Sequence, residues 1–261
     1  MITNKYLNQR REPGCWAILA DRKYYQVGSS CIKRTLRRHE WQCLQGGHPI
    51  APPTTFVQRW KTDAAVLEYL RKHTNIPLPR LQCIFEDDGA FYHVTELVEG
   101  VIMQDLSEDD KLVVMKELSV HMATLCSLKS KTPGVPGESL LCPPQRVSSH
   151  QWKADSCWKP RVSNDDEEEY RFCHNDLGQH NMIVDPDTLK IKAIIDWEFA
   201  GFWPEWFERH FWRRAGGSGA LEGEEDDVER CREWLVNHCD EVVMPRLERM
   251  IDKGRWAMDG L

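Results

Sequence analysis

One short segment, from Phe172 to Glu198, constrains the fold of this chain more than any other part of its sequence. Two apolar runs rich in β-branched residues, Met182–Val184 and Ile191–Ile195, flank the turn-forming sequence Asp-Pro-Asp-Thr at 185–188. Short apolar runs on both sides of such a turn are typical of a β-hairpin. The sequence therefore predicts a two-stranded ribbon with polar residues at its open end.

The polar residues at the open end of this ribbon predict a metal site. If the turn is centred on residues 187–190, Val184 pairs with Ala193. The same register places Asn181 opposite Asp196, and directly opposed residues have Cβ atoms about 5 Å apart. An amide oxygen and a carboxylate that converge in this way suit Mg²⁺, which takes its other ligands from water and substrate phosphates.

Two further acids flank this predicted metal site. Asp176 lies on the stretch that enters the hairpin, where it can accept the proton of an attacking hydroxyl. Glu198 would face the same side as Asp196 if the chain stays extended, as a further metal or substrate contact. Taken singly, each polar residue also fits a plain turn or strand-end role. Their arrangement around one hairpin favours a site for phosphoryl transfer.

The first part of the chain has the pattern of a small antiparallel sheet with one helix. Five short strands are predicted, with a tight turn at Gly28 and a hairpin turn that ends in Gly89. Thr62 is predicted to cap a helix over Asp63–His73, and residues 40–60 are predicted to form a loop. The five strands are 16–19, 24–27, 31–35, 81–85 and 91–95.

After Gly100 the pattern changes to long helical periodicity, which begins at Ser107 as an N-cap. The second half is therefore predicted to be mainly helical. The predicted fold class is α+β and bilobal, with a small antiparallel β lobe over residues 1–97 and a larger, mainly helical lobe over 98–261. Loops are expected at 130–164, 165–169 and 216–227, and helices near 228–241 and after Pro245.

These motifs resemble those of the aminoglycoside phosphotransferase and choline kinase-like family, which has a protein-kinase-like fold, and in particular its fungal members. The resemblance runs from about Tyr24 to Phe211. It rests on His174-x-Asp176-x4-Asn181, on Ile195-Asp196-Trp197-Glu198 and on the helix exit Thr74-Asn-Ile-Pro-Leu-Pro79. It implies a kinase that uses ATP and Mg²⁺.

The resemblance also implies roles for the residues around the hairpin. Asp176 would be the catalytic base, and Asn181 and Asp196 would hold Mg²⁺. His174 would be a structural member of the catalytic loop.

In the small lobe, the resemblance implies that Lys33 holds the α- and β-phosphates and pairs with an acid. Asp63 matches the position of that acid, where the family has Glu. The rival interpretation is that Asp63 only stabilises the N-terminus of a helix, through the helix dipole. The hinge between the lobes maps to Glu96-Leu-Val98. The Glu96 carbonyl and the Val98 amide would hold the adenine.

Two departures from the kinase pattern matter for function. The chain has Ala20-Asp-Arg-Lys23 where a kinase has its glycine-rich nucleotide loop. This departure, together with Asp63 in place of Glu, motivates an alternative, a non-catalytic nucleotide-binding pseudokinase. The catalytic loop contains His-Asn-Asp rather than His-Arg-Asp, and no Ala-Pro-Glu segment follows, which disfavours a protein substrate.

The phosphoryl acceptor is therefore predicted to be a hydroxyl of a small metabolite or of an aminoglycoside-like molecule. Aromatic residues beside acids can hold a cationic alcohol, and Glu198, Trp203 and Glu205 are the candidates. Packing in the core is the alternative for the tryptophan.

Charge and cysteine content bear on the partners and the location of the protein. Lys and Arg total 34 against 41 Asp and Glu, a net charge of -7, which disfavours nucleic acid and anionic membranes as partners. Ten cysteines occur without a CxxC pair or a secretory signal, so we expect reduced cysteines and a cytoplasmic protein.

Overall fold

The computed structural model describes residues 2–43, 55–148, 153, 155–161 and 169–244. Within these ranges the chain has the predicted α+β class. No helix there has the length and apolarity needed to cross a membrane. Helices α1–α5 are, in chain order, Asn4–Asn8, Thr55–His73, Glu108–Ser127, Gln145–Ser148 and Val228–His238.

The first lobe contains the predicted five-stranded antiparallel sheet, in the order β1-β2-β3-β5-β4. Gly28 and Gly89 both have positive φ, as their tight turns require. Asp88 shares the left-handed conformation with Gly89, which gives the hairpin turn the twist that antiparallel strands prefer. The strands β1–β5 are Cys15–Ile18, Arg22–Val27, Ser30–Thr35, Leu81–Asp87 and Ala90–Glu96.

Helix α2 is longer than predicted, because it begins at Thr55 and includes residues expected to form a loop. Thr62 is buried in mid-helix and is not an N-cap, so that prediction is wrong. The added turns are stabilised by packing: Phe56 and Trp60 are buried against Phe91 of β5. Tertiary burial of two aromatic rings therefore sets the start of the helix, and not the local capping signal.

The second lobe contains the predicted helix α3, whose N-cap Ser107 accepts a hydrogen bond from the Asp110 amide at 3.2 Å. Short strands run between its helices, so the lobe is less helical than expected. These strands, β6–β13, are Val101–Ile102, Lys129–Ser130, Ser156–Pro160, Tyr170–Cys173, Met182–Val184, Ile191–Ile194, Gly201–Trp203 and Cys239–Val243.

The C-terminal helix α5 is shorter than the predicted span 228–241, because the chain turns at Cys239 into strand β13. This strand pairs antiparallel with β8, from Cys239–Pro160 to Val243–Ser156. A long-range strand partner thus overrides the helical pattern. The helix predicted after Pro245 lies outside the described residues, as do residues 44–54 of the predicted loop and residues 165–168 of the acidic run.

The largest hydrophobic cluster joins the two lobes. Val66, Leu67 and Leu70 of α2 belong to the same buried cluster as Leu118 of α3 and Trp197 after β11. Helix α2 therefore packs against the larger lobe as well as against its own sheet. This packing fixes the position of the five-stranded sheet relative to the hairpin of β10 and β11, and the space between them is the cleft.

Candidate active site

The loop that carries Asp176 is held by a buried histidine. His174 Nε2 lies 3.0 Å from the Ile195 carbonyl, and its Nδ1 accepts the Asp176 amide at 3.2 Å. Burial lowers the pKa of His174 to about 4, so the ring is neutral at pH 7. The neutral ring donates through Nε2 and accepts through Nδ1, which ties the loop to the end of β11.

A buried carboxylate holds the same loop from its other side. Glu208 accepts the His174 amide in a short hydrogen bond and the Asn175 amide at 3.3 Å. Asn175 has a left-handed φ of 69° and donates its side-chain amide to the Phe199 carbonyl at 2.9 Å. The residues just before Asp176 are therefore fixed by three separate segments.

The hairpin forms as predicted, but its register is shifted. Ala193 pairs with Ile183, one residue away from its predicted partner. Beyond the paired strands, the Ile195 amide donates to the Asn181 carbonyl at 3.0 Å. Asn181 therefore lies opposite Ile195, and the prediction that it opposes Asp196 is wrong.

The shift in register has a local cause in the turn. The Asp185 amide donates to the Lys190 carbonyl at 2.9 Å, which closes the loop earlier than predicted. Leu189 has a φ of 57°, in the left-handed region. The pairing then skips Lys192, as in a β-bulge, and this extra residue moves the later pairs back by one, so the net shift is one residue.

Asp196 leaves the line of the strand. Its φ of 61° is left-handed, a conformation that is costly for most non-glycine residues and that clusters at functional sites. The next residue is anchored from α2, because the Trp197 amide donates to Asp63 Oδ1 at 2.7 Å. The position of Asp196 is thus set by this turn and by α2.

Lys33 of β3 donates directly to Asp196 Oδ1, and the side chain of Asp63 has other partners. Asp63 Oδ2 lies 2.8 Å from His93 Nε2, so the predicted Lys33–Asp63 pair is wrong. The rival interpretation of Asp63, at a helix N-terminus, is also wrong because α2 begins two turns earlier. Burial opposes the charge of Lys33, but Asp196 and then Asp63 raise its pKa above the usual value.

Residues from both lobes line a cavity of about 90 Å³ beside this ion pair. All four residues predicted to bind nucleotide line it together with one predicted metal ligand, and Ile183 of the hairpin and Trp197 form part of its wall. The five predicted residues are Lys33, Asp63, Glu96, Val98 and Asp196.

Asp176 faces a different and larger cavity, of about 900 Å³. Burial raises the pKa of Asp176, and Asp196 and Glu198 add to the shift, while Ser218 and His180 oppose it. The Asn181 amide nitrogen donates to the Asp176 carbonyl at 2.8 Å. This bond links the candidate base to a candidate metal ligand.

The three predicted substrate residues lie in three different surroundings and do not form one site. Glu198 is buried and lies 3.7 Å from the Arg59 guanidinium of α2. Trp203 is 1% exposed and packs against Phe207 and Trp234, so it is a core residue and the substrate prediction for it is wrong. Glu205 is exposed and lines a separate cavity of about 260 Å³ behind the catalytic loop.

Sequence reasoning missed the walls of the large cavity. They come from residues 217–221, in a stretch predicted to be only a loop, and from α5, which was predicted as a helix but without a functional role. A glycine-rich stretch followed by acids and a helix was the available signal. The missed residues include Ser218, Asp226, Glu229 and Arg232, with Gln145 and Arg146 of α4.

Comparison with known proteins supports the resemblance. Residues 132–208, which include Asp176, Asn181 and Asp196, match the phosphotransferase enzyme family, APH. The aminoglycoside 3'-phosphotransferase of Streptomyces ribosidificus is 24% identical over 202 residues, which cover 64% of this chain and 76% of that protein. The enzyme of the same name from Streptomyces fradiae is 22% identical over 225 residues, 65% of this chain and 78% of that protein.

Among solved structures, a ternary complex of a thermostable aminoglycoside phosphotransferase mutant with AMP-PNP and hygromycin B aligns with a TM-score of 0.45. It is 16% identical and the alignment covers 72% of this chain and 66% of that one. The sequence matches confirm the predicted resemblance to the phosphotransferase family. Both sequence relatives come from Streptomyces, and the expected likeness to fungal members is not supported.

Proposed function

Given this likeness to phosphotransferases, we propose that the chain is a kinase that uses ATP and Mg²⁺ to phosphorylate a hydroxyl of a small molecule. One observation carries the proposal. Lys33 and Asp196 form an ion pair in the cavity of about 90 Å³, and Asp176, on the wall of the cavity of about 900 Å³, is close enough to Asp196 for that charge to raise its pKa. Phosphoryl transfer needs this combination of a phosphate-binding cation, metal ligands and a base.

The base of the nucleotide would enter the cavity of about 90 Å³ between the lobe of residues 1–97 and the lobe of residues 98–261, and this cavity would have to widen to admit the whole nucleotide. Lys33 supplies a half-buried positive charge for the phosphates, and Glu96 and Val98 line the same space for the base. The Lys33–Asp196 pair would separate so that both partners can bind the nucleotide and its metal. The chain has no glycine-rich loop between β1 and β2, so backbone amides of another segment would cover the phosphates.

The donor set suits Mg²⁺, since it consists of hard oxygen atoms. The Asn181 side chain donates through its nitrogen to the Asp176 carbonyl, so its oxygen remains available as a ligand. Asp196 has a lowered pKa: burial works against ionisation, but Lys33 outweighs it. Asn181 and Asp196 would hold the ion, which would neutralise charge on the phosphates.

Asp176 would accept the proton of the acceptor hydroxyl. It lies on the wall of the large cavity, and its raised pKa makes it a stronger base than an ordinary aspartate. His174 and Glu208 hold its backbone, and Asn181 fixes its carbonyl, so the carboxylate does not need to be ordered during the reaction.

The large cavity would hold the acceptor. Its volume of about 900 Å³ is suited to a molecule of several rings. Its two arginines are already paired, Arg146 with Asp227 and Arg232 with Glu229, so Asp176 and Asp226 bias the site toward cations. An aminoglycoside-like amino alcohol fits this chemistry, and the names of the relatives support it. We also propose that the protein is cytoplasmic and that it binds neither nucleic acid nor a membrane.

The test is phosphate transfer from radiolabelled ATP to a panel of aminoglycosides and small amino alcohols, with and without Mg²⁺. We expect Mg²⁺-dependent labelling of at least one acceptor. Asp176→Asn should abolish transfer while binding of Mg·ATP, measured by calorimetry, persists. Binding without transfer to any acceptor would support the pseudokinase alternative, and labelling of peptides alone would contradict a small acceptor.

A further inference from the structure

Two buried cysteines lie face to face beside the cleft. Cys142 and Cys157 are free thiols whose Sγ atoms are 3.7 Å apart. Next to them, Leu141 and Trp158 exchange both backbone hydrogen bonds, at 2.7 and 2.9 Å. The two cysteines are therefore the next directly opposed pair of an antiparallel bridge.

The backbone already has the geometry of a disulfide at this position. A pair adjacent to a hydrogen-bonded pair is of the non-hydrogen-bonded type, with Cα atoms about 4.5 Å apart. Disulfides span Cα separations of about 4.4 to 6.8 Å. Closing the gap between the sulfur atoms thus needs side-chain rotation more than backbone movement.

The surroundings favour reaction at one of the two sulfur atoms. The hydrogen bond with the Cys142 thiol lowers the pKa of Cys157, although burial opposes the shift. The Arg59 guanidinium lowers the pKa of Cys157 further. The same contact raises the pKa of Cys142. The Sγ–Sγ distance of 3.7 Å places Cys142 to resolve an oxidised Cys157, and the Arg59 cation favours the thiolate at Cys157.

We propose that Cys142 and Cys157 form a redox-responsive dithiol that hydrogen peroxide converts into an intramolecular disulfide. The Cys157 thiolate attacks one peroxide oxygen, the O–O bond breaks, and hydroxide leaves and takes up the proton to form water. The resulting sulfenic acid is attacked by the Cys142 sulfur, which loses its proton as the S–S bond forms and a second water leaves. Two thiols are oxidised and one peroxide is reduced to two waters.

The position of this pair links it to the catalytic loop. Phe199 packs in the same small buried cluster as both cysteines. Its carbonyl accepts the Asn175 side chain at 2.9 Å, and Asn175 directly precedes Asp176. A covalent bond between the sulfurs would therefore act on a residue that holds the loop. The disulfide chemistry itself does not depend on the proposed kinase activity.

Peptide mapping of the whole protein tests the proposal. The native chain is treated with hydrogen peroxide, quenched with catalase, denatured in N-ethylmaleimide and digested with trypsin. Cleavage after Lys131, Arg146, Lys153 and Arg161 places the two cysteines on separate peptides, 132–146 and 154–161. We expect a linked peptide lighter by two hydrogens than the sum of its parts, in most molecules, and its loss after dithiothreitol.

Two variants control the assignment. Cys142→Ser should leave Cys157 without a resolving thiol, so that peroxide drives it to sulfinic acid. Cys231→Ser, a buried cysteine whose sulfur contacts Asp227, should leave the linked peptide unchanged. The proposal is overturned if Cys142 and Cys157 are recovered as alkylated thiols while the exposed Cys83 is oxidised. Equal yields of links to other cysteines would also overturn it.

Discussion

Lys33 and Asp196 lie 163 residues apart in the sequence and form an ion pair across the cleft. The pair joins β3 of the small sheet to Asp196, the residue at which the chain leaves the hairpin of β10 and β11. It brings together the lysine and the aspartate to which the proposed function assigns the phosphates and the metal ion.

Lys33→Met should raise the KM for ATP by about 10- to 100-fold, because a hydrogen bond to a charged group contributes about 1.5 to 3 kcal/mol. Steady-state kinetics at varied ATP measures the change. Lys61→Met, an exposed position on α2, is the matched control and should leave the KM unchanged. An unaltered KM in the Lys33 variant would argue against a role for Lys33 in holding phosphates.

Asp63→Ala should destabilise the fold by about 3 to 5 kcal/mol, because it leaves the buried Trp197 amide and His93 without their partner. Asp63→Asn should have a smaller effect, about 1 to 3 kcal/mol, because its amide oxygen still accepts from Trp197. Urea denaturation measures both. Asp109→Ala, at an exposed site, is the control. Equal losses for Ala and Asn would contradict the role assigned to the Trp197 bond.

His174 should make the fold sensitive to acid. Burial lowers its pKa to about 4 from an ordinary 6.5, so the folded state binds fewer protons than the unfolded state between these values. Stability is therefore complete above pH 6.5 and falls as the pH drops toward 4, by about 3 kcal/mol in all. Urea denaturation at pH 7 and pH 4.5 should show a smaller acid loss in His174→Gln than in the wild type. Parallel losses would refute a neutral buried His174.

Glu208 should give the opposite dependence on pH. Burial raises its pKa to about 7, although the His174 and Asn175 amides oppose the shift. The folded state then binds more protons than the unfolded state between about pH 4.5 and 7, so its contribution to stability falls as the pH rises through this window. The free energy of unfolding of Glu208→Gln, minus that of the wild type, should increase between pH 5 and pH 8. A constant difference would show that Glu208 is ionised throughout.

The sequence alone predicted the elements whose signals are local. The small antiparallel sheet, the turns at Gly28 and Gly89 and the helix capped by Ser107 all follow from short-range patterns of apolar residues, glycines and caps. The hairpin after Asp176 was predicted for the same reason. These elements form because each depends on a few neighbouring residues that already favour its backbone conformation.

Tertiary structure decided everything that depends on distant partners. The start of α2, the end of α5, the partner of Lys33 and the position of Asp196 were each set by contacts between segments far apart in the chain. The sequence indicated which residues are candidates for the chemistry, because their types and spacing form a motif. Which side chains meet was decided only by folding, because a strand register, a left-handed residue or a buried ion pair depends on the packing of the whole chain.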